Sequence, residues 1–332
     1  MRFGMALPQY GFSLPGGEVG FATTAAWAQR AEELGFDSVW VSDHFFYTFA
    51  RYGEPEPLHG SLEPLTALAG LAALTERVRL GTLVLGAPFR HPSLLAKTVA
   101  TLDSISGGRI DLGVGAGWFE DEFTAFGYRY GNVGDRFASL EETLQVLEAL
   151  LGGDEASGTF GRVELKSARL LPPPVQRPRP PVWVGGKGGP RLLRLAARHA
   201  DGWNVVWRIT PQDYAGSVDD VAAACESEGR DPSTFRRSVG LYGLIGEDDA
   251  SVAALWDRAR AAMPGRALDG ESWDDWRADT LSGTPEQVLE RVAAFEAMGV
   301  EELILSPWTL PFALPEPEML DLVAERVIAP LR

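Results

Sequence analysis

The chain has 332 residues, 45% of them hydrophobic and 23% charged, the profile of a folded globular protein. Its 46 acidic residues against 30 basic ones give a formal net charge of −16, a surface that repels phosphate backbones and argues against nucleic acid as a partner. The single cysteine, Cys225, excludes an intrachain disulfide. No stretch reaches the ~20 apolar residues of a membrane span, and Pro8 stops the opening apolar run short of a signal peptide, so a cytoplasmic protein with no membrane partner is expected.

Apolar, β-rich runs alternate with helical patterns from start to finish. Residues 3–7 read as a first strand and 22–34 as a helix capped by Gly35. A second strand spans 38–42, a small-residue helix 62–75 and a third strand 78–85. The helix at 91–105 carries Pro92 near its start and Gly107-Gly108 beyond its end. A fourth strand follows at 109–114, an amphipathic helix at 135–151, a small hairpin at 158–170 and a Pro-rich connection at 172–181. Strands at 181–184, 203–206 and 239–245 then alternate with helices at 190–199, 211–228 and 249–262. A helix at 285–298 precedes the eighth strand, 302–305, and the helix at 316–327 follows it.

Eight strands, each followed by helix, predict a parallel sheet, and eight over this length favours a closed (β/α)₈ TIM barrel in one domain, 1–332. Residues 153–181 and 246–284 are longer than plain connections and are expected as insertions over the barrel mouth. Trp256, Trp273 and Trp276 argue against disorder in the second of these.

In such a barrel the active site lies where strands end and βα loops begin. The second strand ends in Asp43-His44, and His44 is the best placed of the four histidines to exchange a proton near neutral pH. His91 reads as a helix-start residue and His199 as a cation suited to a helix end. Gly81 and Gly86 inside the third strand predict a bulge or a close backbone approach. At the end of the fourth strand, Gly113, Gly115 and Gly117 strip one face of side chains, so that a flat ligand would lie against backbone. Trp118 stands where a dinucleotide fingerprint needs glycine. After the fifth strand, Gly185-Gly186-Lys187-Gly188-Gly189-Pro190 opens a helix. Exposed amides, a helix N-terminus and a lysine make an anion cradle, without the spacing of a nucleotide-triphosphate loop. Cys225 reads as core. Metal-ligand and serine-nucleophile motifs are missing, so a cofactor with its own reactivity is expected.

Several segments together resemble the bacterial luciferase-like superfamily of flavin- and deazaflavin-dependent oxidoreductases, most of all its F420-dependent branch. They are Leu7-Pro8-Gln9, Glu32 to Trp40, Asp43-His44, Arg79-Leu-Gly-Thr82, Arg90-His91-Pro92, Leu102 to Arg109, Gly113 to Trp118 and Gly185-Gly186. The resemblance implies a barrel with insertions, a homodimer, and coenzyme F420 or FMN at the strand ends beside Asp43, Gly115, Gly117 and Trp118. It implies a non-prolyl cis peptide at Leu83–Val84 under the ring, the cofactor phosphate at Gly185–Gly189 and a small-molecule substrate near His44. A flavin or F420 reductase would supply reduced cofactor. The branch's sugar-phosphate dehydrogenases carry a catalytic Glu where this chain has Trp118, so their scheme does not transfer, and Trp118 is expected either to wall the pocket or simply to pack. Alternatives to F420-dependent hydride transfer are an FMN-dependent monooxygenase, a non-catalytic flavin-binding protein and a phosphosugar-binding barrel.

Overall fold

The computed structural model describes residues 1–17 and 20–332. The first half of the chain contains β1 (Arg2–Ala6), α1 (Phe21–Glu33), β2 (Ser38–Val41), β3 (Phe46–Phe49), β4 (Glu54–Gly60), α2 (Pro64–Leu74), β5 (Arg79–Thr82), β6 (Leu85–Gly86), α3 (Pro92–Ser106), β7 (Ile110–Gly115), α4 (Glu120–Ala125) and α5 (Val133–Leu151). Then come β8 (Ala156–Phe160), β9 (Val163–Ala168), β10 (Val182–Gly185), α6 (Pro190–His199), β11 (Gly202–Trp207), α7 (Pro211–Ser227), β12 (Arg236–Tyr242), α8 (Asp249–Ala262), α9 (Trp273–Ala278), α10 (Pro285–Ala297), β13 (Glu302–Ser306) and α11 (Met319–Val323). Strands β1, β2, β5, β7, β10, β11, β12 and β13 pair in parallel in that order, and β13 returns to β1, closing the barrel. The third strand is interrupted: β5 and β6 both pair with β7, and the two residues between them, Leu83 and Val84, are joined by a cis peptide.

Two apolar clusters result from strand alternation. One lies between barrel and helices, and Val39, Leu80, Leu112, Val184 and Leu303 contribute to it from the outward faces of the strands. The other fills the barrel and its C-terminal end, with Trp40, Trp183, Tyr242, Trp276 and Phe312. Two tryptophans fit inside an eight-stranded barrel because glycine faces them. A Cβ on Gly81 would sit 2.2 Å from the Trp40 ring, and one on Gly202 would sit 2.7 Å from Trp183. Each buried indole finds an acceptor, Trp40 Nε1 at Ser38 Oγ (2.8 Å) and Trp183 Nε1 at Asp111 Oδ1 (3.2 Å).

The insertions part company. Trp256 and Trp276, from α8 and α9, are buried at the C-terminal end, where Trp276 stacks on Tyr242 with 5.9 Å between centroids. The 153–181 stretch, expected over the mouth, lies elsewhere. Alternate residues Val163 and Leu165 of the β8–β9 hairpin join the outer core with α5, and Glu142 of α5 accepts from Arg162. Val175 and Gln176 donate to Asp103, and Gln176 also donates to the carbonyl of Ile110, at the N-terminal end of β7. The stretch therefore runs down the side and under the barrel.

Other differences are local. The seventh barrel strand begins at Arg236 and ends at Tyr242, three residues earlier than alternation suggested. The loop after His44 holds a two-stranded antiparallel sheet, β3–β4, that sequence reading left as loop, because β4 (Glu-Pro-Glu-Pro-Leu-His-Gly) is almost wholly exposed and shows no alternation. Cys225 is buried core, and no helix of the described residues is long and apolar enough to cross a membrane.

Candidate active site

The end of β2 is held from two sides. Gln9 extends the β1–β2 ladder with its side chain, accepting from the Ser42 amide at 2.6 Å and donating to the Ser42 carbonyl at 3.0 Å. Asp43, expected beside the cofactor, is buried. Its carboxylate receives both terminal nitrogens of Arg90 (2.5 and 2.9 Å) and the Gly86 amide (2.9 Å), which ties the ends of β2 and β6 together. The next residue along the chain, His44, is thereby fixed in place.

His44 Nδ1 lies 3.0 and 3.1 Å from the two oxygens of Glu122, on α4, and the same carboxylate accepts from the Phe45 amide at 3.1 Å. A carboxylate only accepts, so Nδ1 carries the hydrogen and Nε2 is the nitrogen left for chemistry. Nε2 makes no hydrogen bond to the described residues and is not buried. Glu122 is 2% exposed, which keeps water from competing for the pair. Sequence reading passed over Glu122. It lies in the acidic run Glu120-Asp121-Glu122 at the start of a helix, where acids suit the macrodipole, and nothing local marks which of the three turns inward.

Aromatic rings surround the imidazole: Trp118 at 5.7 Å between centroids, Tyr47 at 6.1 Å, Phe119 at 6.2 Å and Tyr10 at 6.4 Å. Trp118 is the exposed wall of this group, stacked on Phe119 at 5.3 Å. Tyr10 is fully buried against Ser42, and burial pushes its hydroxyl pKa well up, so it stays neutral.

The floor differs from the flat glycine surface expected. A Cβ on Gly113 would lie 2.1 Å from the Thr82 carbonyl oxygen and 2.8 Å from Val84 Cγ1, one on Gly115 2.8 Å from Val84 Cγ2, and one on Gly185 2.7 Å from Val84 Cγ1. The glycines therefore make room for Val84, whose half-buried side chain rises from the bulge between β5 and β6. Gly117 is required for another reason. Its φ is +78°, and a Cβ would meet Phe123 at 2.7 Å.

Gly185–Gly189 forms a tight turn into α6. Gly186 and Gly188 have positive φ (156° and 79°), and Cβ atoms there would lie 2.8 Å from Leu192 and Trp203 respectively. The Trp203 indole donates to the Gly186 carbonyl at 2.9 Å. Gly189 caps α6 without a side-chain acceptor, and no atom lies within 4 Å of its Cβ position, so the helix start is open. Lys187 is not aimed freely at this opening, because its ammonium donates to the Val206 carbonyl at 2.9 Å. These features fit a flat ring over Val84 with an anionic tail at the glycine turn: the turn touches Val84 through Gly185, and an uncapped helix start attracts anions.

A model of the luciferase-like monooxygenase family matches residues 1–302. The chain belongs to that family. Among its relatives is a phthiodiolone/phenolphthiodiolone dimycocerosates ketoreductase of Mycobacterium kansasii, 28% identical over 82% of this chain and 87% of that protein. Another is an FMNH(2)-dependent dimethylsulfone monooxygenase of Pseudomonas putida, 29% identical over 84% and 80%. An F420-dependent glucose-6-phosphate dehydrogenase of Amycolatopsis mediterranei is 36% identical over 53% of this chain and 51% of its own. The crystal structure of monooxygenase RslO1 from Streptomyces bottropensis shares 25% identity and superposes over the whole of both chains with a TM-score of 0.77. This luciferase-like chain is an oxidoreductase whose relatives use F420 or FMN.

Proposed function

We propose that this luciferase-like oxidoreductase uses coenzyme F420 to reduce a carbonyl, or to oxidise the corresponding alcohol, at the C-terminal mouth of its barrel. The observation that carries the reading is His44, at the end of β2, held through Nδ1 by buried Glu122 with Nε2 open. The bound deazaflavin would supply or accept the hydride. In the reducing direction the ring enters with a hydrogen on both nitrogens, Nε2 gives its proton to the carbonyl oxygen as charge builds there, and Nδ1 keeps its hydrogen on Glu122; alcohol oxidation runs the same transfer in reverse, with Nε2 accepting. The uncapped start of α6 and the Gly185–Gly189 amides hold the anionic tail. The aromatic rings of Trp118, Phe119 and Tyr47 exclude water from the reacting carbon. The same reading includes a homodimer in the cytoplasm: Leu94 and Ile105 lie exposed on α3, available to a second copy.

The second reading is an FMN-dependent monooxygenase that receives reduced flavin from a partner reductase, and the Pseudomonas relative favours it. Titration of the apoprotein with F420 and with FMN separates the two. Tighter binding of F420 is expected, and Gly186→Val should weaken it strongly, because a β-branched residue meets Leu192 at a positive φ. Tighter binding of FMN replaces the first reading with the second.

A further inference from the structure

One charged group at the mouth is not engaged by the machinery described above. Arg51 sits in the short turn between β3 and β4, exposed at the rim. Its guanidinium lies 4.8 Å from the Tyr52 ring centre, 5.5 Å from Tyr47 and 6.0 Å from Trp118. Tyr47 and Trp118 are also neighbours of His44, at 6.1 and 5.7 Å. Arg51 and His44 thus flank the same two rings, Tyr47, which is buried, and Trp118, which is exposed.

Among the described residues, no carboxylate lies within ion-pair distance of Arg51, although the chain carries 46 acidic groups and most arginines at other sites have one. The guanidinium has five N–H donors, and the Tyr47 hydroxyl accepts from one of its nitrogens. The rings beneath it orient it without neutralising it. The turn that carries it is anchored from the far side. The Gly265 amide donates to Glu54 at 2.7 Å, and the backbones approach so closely that a Cβ on Gly265 would lie 1.7 Å from the Tyr52 carbonyl oxygen. Arg51 is therefore held in position by two separate loops.

Resting on the reading of the mouth as the reaction site, we propose that Arg51 selects substrates that join a ring or other flat apolar body to a carboxylate. The body lies against the exposed Trp118 ring, the carboxylate pairs with Arg51, and the reacting carbon is delivered to His44, which Trp118 also adjoins. Planar, bidentate pairing with carboxylate is what a guanidinium with N–H donors left over offers and an ammonium does not. A neutral ligand of the same shape leaves that pairing unmade.

The test is calorimetric titration of the apoprotein with 2-naphthoate and with its neutral counterpart 2-naphthamide. Naphthoate should bind about ten- to a hundredfold more tightly, the effect of a hydrogen bond to a charged group. Arg51→Gln should abolish the difference, and Arg51→Lys should keep only part of it. Equal affinities in the unmodified protein, no naphthoate binding at millimolar concentration, or a preference that survives Arg51→Gln overturns the proposal. F420 titration of Arg51→Gln is run alongside. Unchanged F420 affinity is expected, and a large loss would assign Arg51 to the cofactor and overturn the substrate role. If the unmodified protein keeps its naphthoate preference but fails to bind F420, the deazaflavin reading falls and the Arg51 assignment stands.

Discussion

At the N-terminal end of the barrel, the buried carboxylates of Glu302 and Asp111 are met by protein groups: Arg2 reaches Glu302 at 2.7 Å, Arg79 reaches Asp111 at 2.5 Å, and Ser38 and the Trp183 indole complete the set. At the C-terminal end Asp43 is likewise paired, with Arg90 and the Gly86 amide, but three neighbouring groups keep unused capacity. His44 uses one nitrogen on Glu122 and leaves the other open, Arg51 has no carboxylate among the described residues, and α6 starts without a side-chain cap. Both ends hold charge among aromatic rings. The closed network specifies how the strands come together, whereas the open one leaves donors for a ligand that the chain itself does not provide. Which polar groups lack partners, more than which residue types are present, tells the two ends apart.

Substitutions should split along this line. His44→Ala is expected to lower turnover by about 10²–10⁴-fold, the usual range for losing a positioned proton donor. Glu122→Gln should give a smaller loss and move the pH profile of kcat. A normal rate in both variants removes His44 from the chemistry. At the other end the loss falls on stability. Asp111→Ala leaves Arg79 facing a buried site without its partner, which should cost about 3–5 kcal/mol in urea unfolding. A cost below about 1 kcal/mol, the scale of an ordinary surface change, would mean that the lower network is not what holds this end.

A smaller effect separates a purely structural carboxylate from both. Burial opposes ionisation of Glu32, but hydrogen bonds from the amides of Val78, Arg77 and Glu76 outweigh it and hold the pKa below the ordinary 4.5. A depressed carboxylate stabilises the fold above its unfolded pKa, and that stability is lost as pH falls through the folded value. Melting curves should therefore fall below pH 4.5 in the unmodified protein, and Glu32→Gln should flatten that part of the profile without touching turnover. An unchanged profile would show that these amides do not select the charged form.

Much of this was legible in the sequence. Strand alternation pointed to eight parallel strands, the strand-end rule picked out His44, and the resemblance placed the cis peptide at Leu83–Val84, where the structure has it. What escaped depends on contacts between distant residues. Glu122 looks like any acid at a helix start until its partner, 78 positions earlier, is known. The glycines at 113, 115 and 185 show that space is needed, but not that Val84 takes it. The β8–β9 hairpin carries an alternating pattern that says one face is covered, without saying that α5 covers it.

The central claim is that the open mouth moves a hydride between a deazaflavin and a carbonyl, with His44 handling the proton. Its most direct test is to mix the protein with reduced F420 under strict exclusion of oxygen and add a panel of aryl ketones, following loss of the reduced cofactor against alcohol formed. One alcohol per F420 oxidised, without oxygen, is the predicted result. Cofactor oxidation that requires oxygen, or that occurs only with reduced FMN, would contradict it.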